Sequence, residues 1–377
     1  MQILIGGDLV PTQSNFSLFK QADVNSLLGE DLLTIWKNAD LRLFNLEVPL
    51  VDKEGPIEKC GPNLIAPVNT INGIKALNPS LITLANNHIL DQGELGLKST
   101  KAILNEHSIP FVGAGEDLNK ASKPYIINRN GFKIGVYACA ENEFTIATEN
   151  SSGANPFDPL ESLDQIQRLS EMSDYVIVLY HGGKEHYRYP SPYLQKVCRK
   201  IASKGADLVI CQHSHCVGCF ENFQDSTIVY GQGNFVFDRS DSEFWKTSIL
   251  VNLTLGNKII IDYIPIIKKE NVIRLAHGKD AEIILSQFKI RSSEICQEGF
   301  IEENYQEYAD EKITGYLRQF SGLGKWLSRI DRKIFKGSLI NFLYKRSNLL
   351  AIQNYIECEA HRELILKGLK GENKNAR

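Results

Sequence analysis

The 377-residue chain lacks any run of about 18 apolar residues, so no membrane-spanning helix is expected. Its start, Met1-Gln2-Ile3-Leu4-Ile5-Gly6-Gly7-Asp8, carries neither a basic n-region nor an apolar h-region, which argues against a secretory signal peptide. A strong charge of one sign is also missing: the net charge is −3, which gives no general attraction to nucleic acid, and no nucleic-acid partner is expected. Internal repeats and low-complexity segments are absent. There is no second Cys-x-x-Cys to complete a zinc knot around Cys211, Cys216 and Cys219, so these read as buried thiols. Eight cysteines in a long chain without export signals are expected to be reduced, and the expected location is the cytoplasm.

What is present suits a folded protein. Hydrophobic residues make up 43% and charged residues 23%, and the length allows one large domain with an appendage. Short apolar runs at Ile3–Ile5, Leu41–Leu46, Ser80–Leu84, Lys133–Ala138, Tyr175–Tyr180 and Ala206–Cys211 read as strands. Helical patterns such as Glu94–His107 and Pro190–Lys204 lie between them, and this alternation predicts an α/β core. Thr227–Gly231, Ser248–Leu255 and Lys258–Ile267 are rich in β-branched residues and predict a block of neighbouring antiparallel strands, with Gly256-Asn257 as a hairpin turn. The composition changes near residue 278, so the expected domains are 1–277 and a mainly helical 278–377, with Gly371–Arg377 as a frayed polar tail.

Asp8, Glu47, Asn87, His181 and His213 each follow the C-terminal end of a predicted strand, the edge where loops from neighbouring strands converge on ligands. His213-Ser214-His215 adds a pair of imidazoles two residues apart, which on extended backbone point the same way. Imidazole suits zinc, iron or manganese, and a carboxylate can bridge two ions. Six mixed donors are more than one zinc ion takes, so two divalent ions are expected. His88, beside Asn87, is a candidate proton donor to a leaving oxygen. Each residue alone has a plainer reading: Asp8 as a turn residue, Glu47 as a solvated strand end, Asn86-Asn87-His88 as a polar turn and Asp91 as a helix cap. The common placement at strand ends favours the metal site. His107, His277 and His361 receive no role.

Gly7-Asp8, Asn45-Leu46-Glu47 and Ala85-Asn86-Asn87-His88, with Asp91 and Gly93, resemble motifs of the bacterial capsule-synthesis CapA family. His181-Gly182-Gly183-Lys184-Glu185, Gly205-Ala206-Asp207, Gln212-His213-Ser214-His215 and Gly231-Gln232-Gly233-Asn234-Phe235 resemble its later motifs in the same order, the resemblance covering roughly residues 1–240. The resemblance implies the calcineurin-like metallophosphatase fold, a four-layer α-β-β-α sandwich. It implies poly-γ-glutamate or capsular polysaccharide biosynthesis, with a phosphoester or amide bond as target and an anionic polymer or phosphoester as substrate. Asp8, Glu47, Asn87, His181, His213 and His215 would be metal ligands with Glu47 bridging, and His88 and Glu185 would be catalytic. A non-catalytic accessory role in a membrane-bound synthesis complex is the rival, since the wider class has Asp-x-His where this chain has Asp8-Leu9-Val10. The Trp of the family's His-Trp-Gly is Gly182 here.

From Arg318 to the end there are 13 Lys and Arg against 5 Asp and Glu. Trp326, Leu327, Ile330, Ile334, Phe335, Phe342 and Leu343 interleave with those bases. The first reading is a helix whose apolar stripe packs on a core. The second is peripheral contact, through this basic region, with the inner membrane surface or a capsule-synthesis complex.

Overall fold

The computed structural model describes residues 1–256 and 258–375, so Asn257 of the expected hairpin turn and the last two residues of the polar tail lie outside the described residues. The chain divides into two compact units, Met1–Ile301 and the segment from Glu302 onward.

The first unit is built on two mixed sheets. In the first, the order is Val272–Leu275, Ile260–Lys269, Thr247–Thr254, Gln2–Val10, Leu41–Leu46, Leu81–Thr83 and Phe111–Val112. Gln2–Val10 changes partner along one side. Gln2 to Ile5 pair antiparallel with Thr254 to Val251, whereas Asp8 to Val10 pair parallel with the strand Asn234–Phe237. The second sheet runs Val217–Phe223, Ser226–Gln232, Leu208–Gln212, Tyr175–His181, Phe132–Ala140 and Tyr125–Arg129, parallel at its centre and antiparallel at both edges.

Strand alternation separates the layers. Ile134, Val136 and Ala138 share one core with Ile5, Leu43 and Ile82 of the other sheet, so the two sheets pack face to face. Tyr137 and Cys139, on the opposite face of that strand, pack with Ile166, Leu169, Val197 and Ile201 of the helices Ser162–Met172 and Pro192–Ser203. The second helix shows why it forms there. Ser191 accepts the Leu194 amide as N-cap, Pro192 opens the first turn, and Leu194, Val197, Cys198, Ile201 and Ala202 make one buried stripe. Leu32, Leu33 and Trp36 of the helix Glu30–Asn38 cover the first sheet's side of the core. Helices thus flank two stacked sheets, the layering the sequence resemblance implies.

Two placements differ from the sequence reading. The strand at Thr227–Gly231 does not join the late antiparallel block; as Ser226–Gln232 it pairs parallel with Leu208–Gln212 in the second sheet. The helix Gly278–Glu294 falls in the first unit, with Ile284 and Phe288 buried in its core, so the boundary between units falls a helix later than the change in composition.

In the second unit most of the helix Phe300–Phe320 is followed by Lys325–Ile330, a π-turn at Asp331–Phe335, and the helices Ser338–Leu343, Arg346–Glu357 and Glu359–Asn375. Its apolar residues are largely outward: Trp326 is 75% exposed and Phe342 72%. No helix among the described residues is long and apolar enough to cross a membrane.

Candidate metal centre

The partner change in the strand Gln2–Val10 fixes Asp8. At Gly7 an added Cβ would lie 2.0 Å from the Gly233 carbonyl oxygen, so only glycine lets this strand press against the turn that carries Asn234. That approach sets Asp8 opposite Asn234 in register, and Asn45 on the other side. Asn45 Nδ2 donates to Asp8 Oδ1 at 2.8 Å, and the His213 amide donates to Asp8 Oδ2 at 3.3 Å.

The strands Gln2–Val10, Leu41–Leu46, Leu81–Thr83, Tyr175–His181 and Leu208–Gln212 bring Asp8, Glu47, Asn87, His181, His213 and His215 to one edge, all of them buried. Two groups of donor atoms form there among the described residues, each within 4.8 Å: Glu47 with His181 and His213, and Asp8 with Glu47 and His215. Glu47 belongs to both. Asn87 joins the first group, its Oδ1 lying 3.1 Å from His181 Nε2. His215 is aimed by Asn234, whose Oδ1 is 2.9 Å from Nδ1, and by the Trp245 ring at 4.6 Å. His213 and His215 both take left-handed backbone, φ 85° and 55°, a strained way to turn two nearby imidazoles into one cavity.

The unpaired atoms say what this donor set fits. Neither carboxylate oxygen of Glu47 has a hydrogen-bond partner, nor does His213 Nδ1, although all three are buried. Such groups are costly unless something satisfies them. Burial pushes the Asp8 carboxyl up to about 7, and the nearby Glu47 adds to the rise. Burial likewise pushes Glu47 up to about 8 against the pull of His88. His215 is driven down to about 3 by burial, opposed by its bond with Asn234. His213 falls well below the ordinary histidine range, by burial and then by the neighbouring His181 and His215. A divalent cation would favour ionised carboxylates where burial now resists charge, and it takes imidazoles in the neutral form that burial already imposes here, so the residues fit one.

His88 stands beside this cluster. Its Nδ1 lies 2.5 Å from Asp91 Oδ2, and Lys59 pairs with the other Asp91 oxygen while donating to the Asn87 carbonyl at 3.3 Å. The helix-cap reading of Asp91 therefore gives way: its side chain serves His88, Lys59 and the Leu64 amide. Glu185 is at the rim, 44% exposed, its Oε1 4.0 Å from His213 Nε2. Glu143, at 3.9 Å from the same nitrogen, and Lys59 were not singled out from the sequence. Both lie in loops without a motif, and only the fold brings them in. Cys211, Cys216 and Cys219 are buried and free, and His107, His277 and His361 are elsewhere.

A family model described as bacterial capsule synthesis protein PGA_cap matches residues 2–239. The capsule biosynthesis protein CapA of Bacillus anthracis is 30% identical over 241 residues, 61% of this chain and 58% of that protein. The PGA biosynthesis protein CapA of Bacillus subtilis is 29% identical over 173 residues, 45% of this chain and 46% of that one. The chain thus spans about half the length of these relatives. A solved phosphatase of Mycoplasma pneumoniae is similar with a TM-score of 0.44 and 14% identity, over 72% of this chain and 94% of that one. With the family match running through every strand that carries a site residue, the chain belongs to the bacterial capsule synthesis protein family PGA_cap.

Proposed function

We propose that the protein is a metal-dependent hydrolase acting in capsule or other cell-surface polymer biosynthesis, cleaving a phosphoester or amide bond in an anionic substrate. The observation that carries this reading is Glu47: a buried carboxylate with both oxygens unpartnered, shared by two ligand groups. Asp8, Glu47, Asn87, His181, His213 and His215 would hold two divalent ions, manganese, zinc or iron. Such ions would supply Lewis-acid stabilisation of developing oxyanion charge and acidify water.

The chain's own groups do the rest. Asp91 holds His88 through Nδ1, which leaves Nε2 to deliver a proton to the leaving atom. Lys59 fixes Asp91 in turn, so the imidazole is oriented from behind. Glu185 and Glu143 place carboxylates at the mouth, where Glu185 would take up or relay the proton released as water attacks. The unbonded Cys198 and Cys211 sulfurs, 3.5 Å apart, suit a reducing compartment, and the cytoplasmic side of the membrane is the proposed location.

Protein purified without chelators and analysed for transition metals, then assayed on an aryl phosphodiester with added manganese, tests the reading. Bound metal and turnover that both disappear in Glu47→Ala support it; no metal and no turnover in the parent chain overturn it. One observation favours an accessory role instead. Val10, buried at 2% exposure, stands where the wider class places a ligand histidine. Metal that binds while turnover stays absent, in parent and His88→Ala alike, would favour that second reading.

A further inference from the structure

Between Arg318 and Arg346 the chain carries eight bases and one acid, Asp331. That acid is buried and internally engaged: it accepts from Arg318 at 3.3 Å and from the Leu339 amide at 3.0 Å. Lys325, Arg329, Arg332, Lys333, Lys336, Lys345 and Arg346 are exposed, and none of them is in an ion pair among the described residues. Four bases, Arg318, Lys325, Arg329 and Arg332, line an open cleft of about 800 Å³ whose walls include no acidic residue.

An apolar stripe runs beside these bases. Trp326, Ile330 and Ile334 recur at every fourth position, and Lys325, Arg329 and Lys333 recur with the same spacing one residue earlier. A helix that packs such a stripe on its own core buries it. Here Trp326, Leu327, Ile334, Phe335, Phe342 and Leu343 are all exposed, so stripe and bases face outward together. We propose that this segment docks on the anionic surface of a phospholipid bilayer, with the apolar side chains at the boundary of headgroups and acyl chains and the cations on lipid phosphates. The mixture of aliphatic side chains with aromatics fits a lipid boundary better than a strand of nucleic acid, which needs stacking faces. The cluster of cations without carboxylates fits anionic lipid better than a second copy of the same basic face.

The test uses the full chain, floated with vesicles of phosphatidylcholine and phosphatidylglycerol or of phosphatidylcholine alone. The anionic vesicles should carry at least about 10-fold more protein, with a bound fraction that falls as salt rises. Trp36 and Trp245 are buried, so a blue shift in emission on vesicle addition reports Trp326. Lys325→Glu, Arg329→Glu and Lys333→Glu together should abolish flotation and blue shift; Trp326→Ser should weaken flotation several-fold. All these residues are exposed, and unchanged circular dichroism separates lost docking from lost folding. Equal partition onto neutral and anionic vesicles, binding that survives the charge reversal, or self-association through Trp326 without any vesicle binding would each overturn the proposal.

Discussion

His181 Nε2 lies 3.2 Å from Glu47 Oε1, yet that oxygen receives no hydrogen bond. The two atoms crowd one point in space without bonding to each other, as lone pairs aimed at a common cation would. Replacing Glu47 should therefore have opposite effects with and without metal. In chelator-treated protein at pH 8.5 to 9, where Glu47 has lost its proton, Glu47→Gln should raise the melting temperature, because a neutral amide relieves a buried, unpartnered carboxylate. Metal affinity should fall by no less than the ~10–100-fold that outer partners cost. Differential scanning fluorimetry with and without manganese reads both signs.

The stability of metal-free protein should fall between pH 6.5 and 8. Asp8 and Glu47 keep protons up to about 7 and 8 in the fold, against ordinary values of 3.8 and 4.5. The native state therefore binds more protons than the unfolded state through this window, and stability drops as pH rises. The two carboxyls alone would lose on the order of 2 kcal/mol across the window, and the net loss, after the histidines, is about 1 kcal/mol. His181, His213 and His215, held below 6.5, act with the opposite sign; their effect is largest below pH 6.5 and fades by about pH 7.5, so it offsets part of the loss at the start of the window. Urea titrations at pH 6.5, 7 and 8 check the slope; added manganese should flatten it.

His88→Ala should lower turnover of an aryl phosphodiester by ~10²–10⁴-fold. The loss should shrink for a dinitrophenolate leaving group, which departs without a proton. Asp91→Asn should give a smaller loss with the same dependence on the leaving group. A uniform loss across leaving groups would assign the pair a structural role instead.

Val10→His should add a ligand to the group formed by Asp8, Glu47 and His215. Residues two apart on a strand share a face, so a histidine here can turn toward the site, at a cost of about 1–3 kcal/mol for packing into a buried position. Manganese titration by calorimetry should then reach two equivalents per chain with closer affinities than in the parent protein.

The strand ends were legible because a polar residue closing an apolar run is a local signal, and those at Asp8, Glu47, His181 and His213 all converge. The helix Pro192–Ser203 was equally plain, since its cap, proline and apolar stripe agree. Ser226–Gln232 was misplaced because β-branched composition marks a strand but not its sheet; register and neighbours come from long-range packing. Lys59 could not be read in because its role depends on reaching His88 across 29 residues of loop and turn. The helix Gly278–Glu294 was drawn into the appendage because its surface charge resembles that of the later helices, while its buried Ile284 and Phe288 are too sparse a stripe to stand out.

Asp8 stands on the first strand, and its register partner Asn234, which aims His215, arrives more than two hundred residues later. The candidate cation pocket thus has its full support only when the first strand and the strand Asn234–Phe237 lie side by side. A chain ending before that point would hold all six candidate ligands yet lack the residue that aims His215. A cation bound as proposed, between Asp8 and His215, would fasten the first strand to the loop that follows Leu208–Gln212, and Asn234 would keep that clasp aligned.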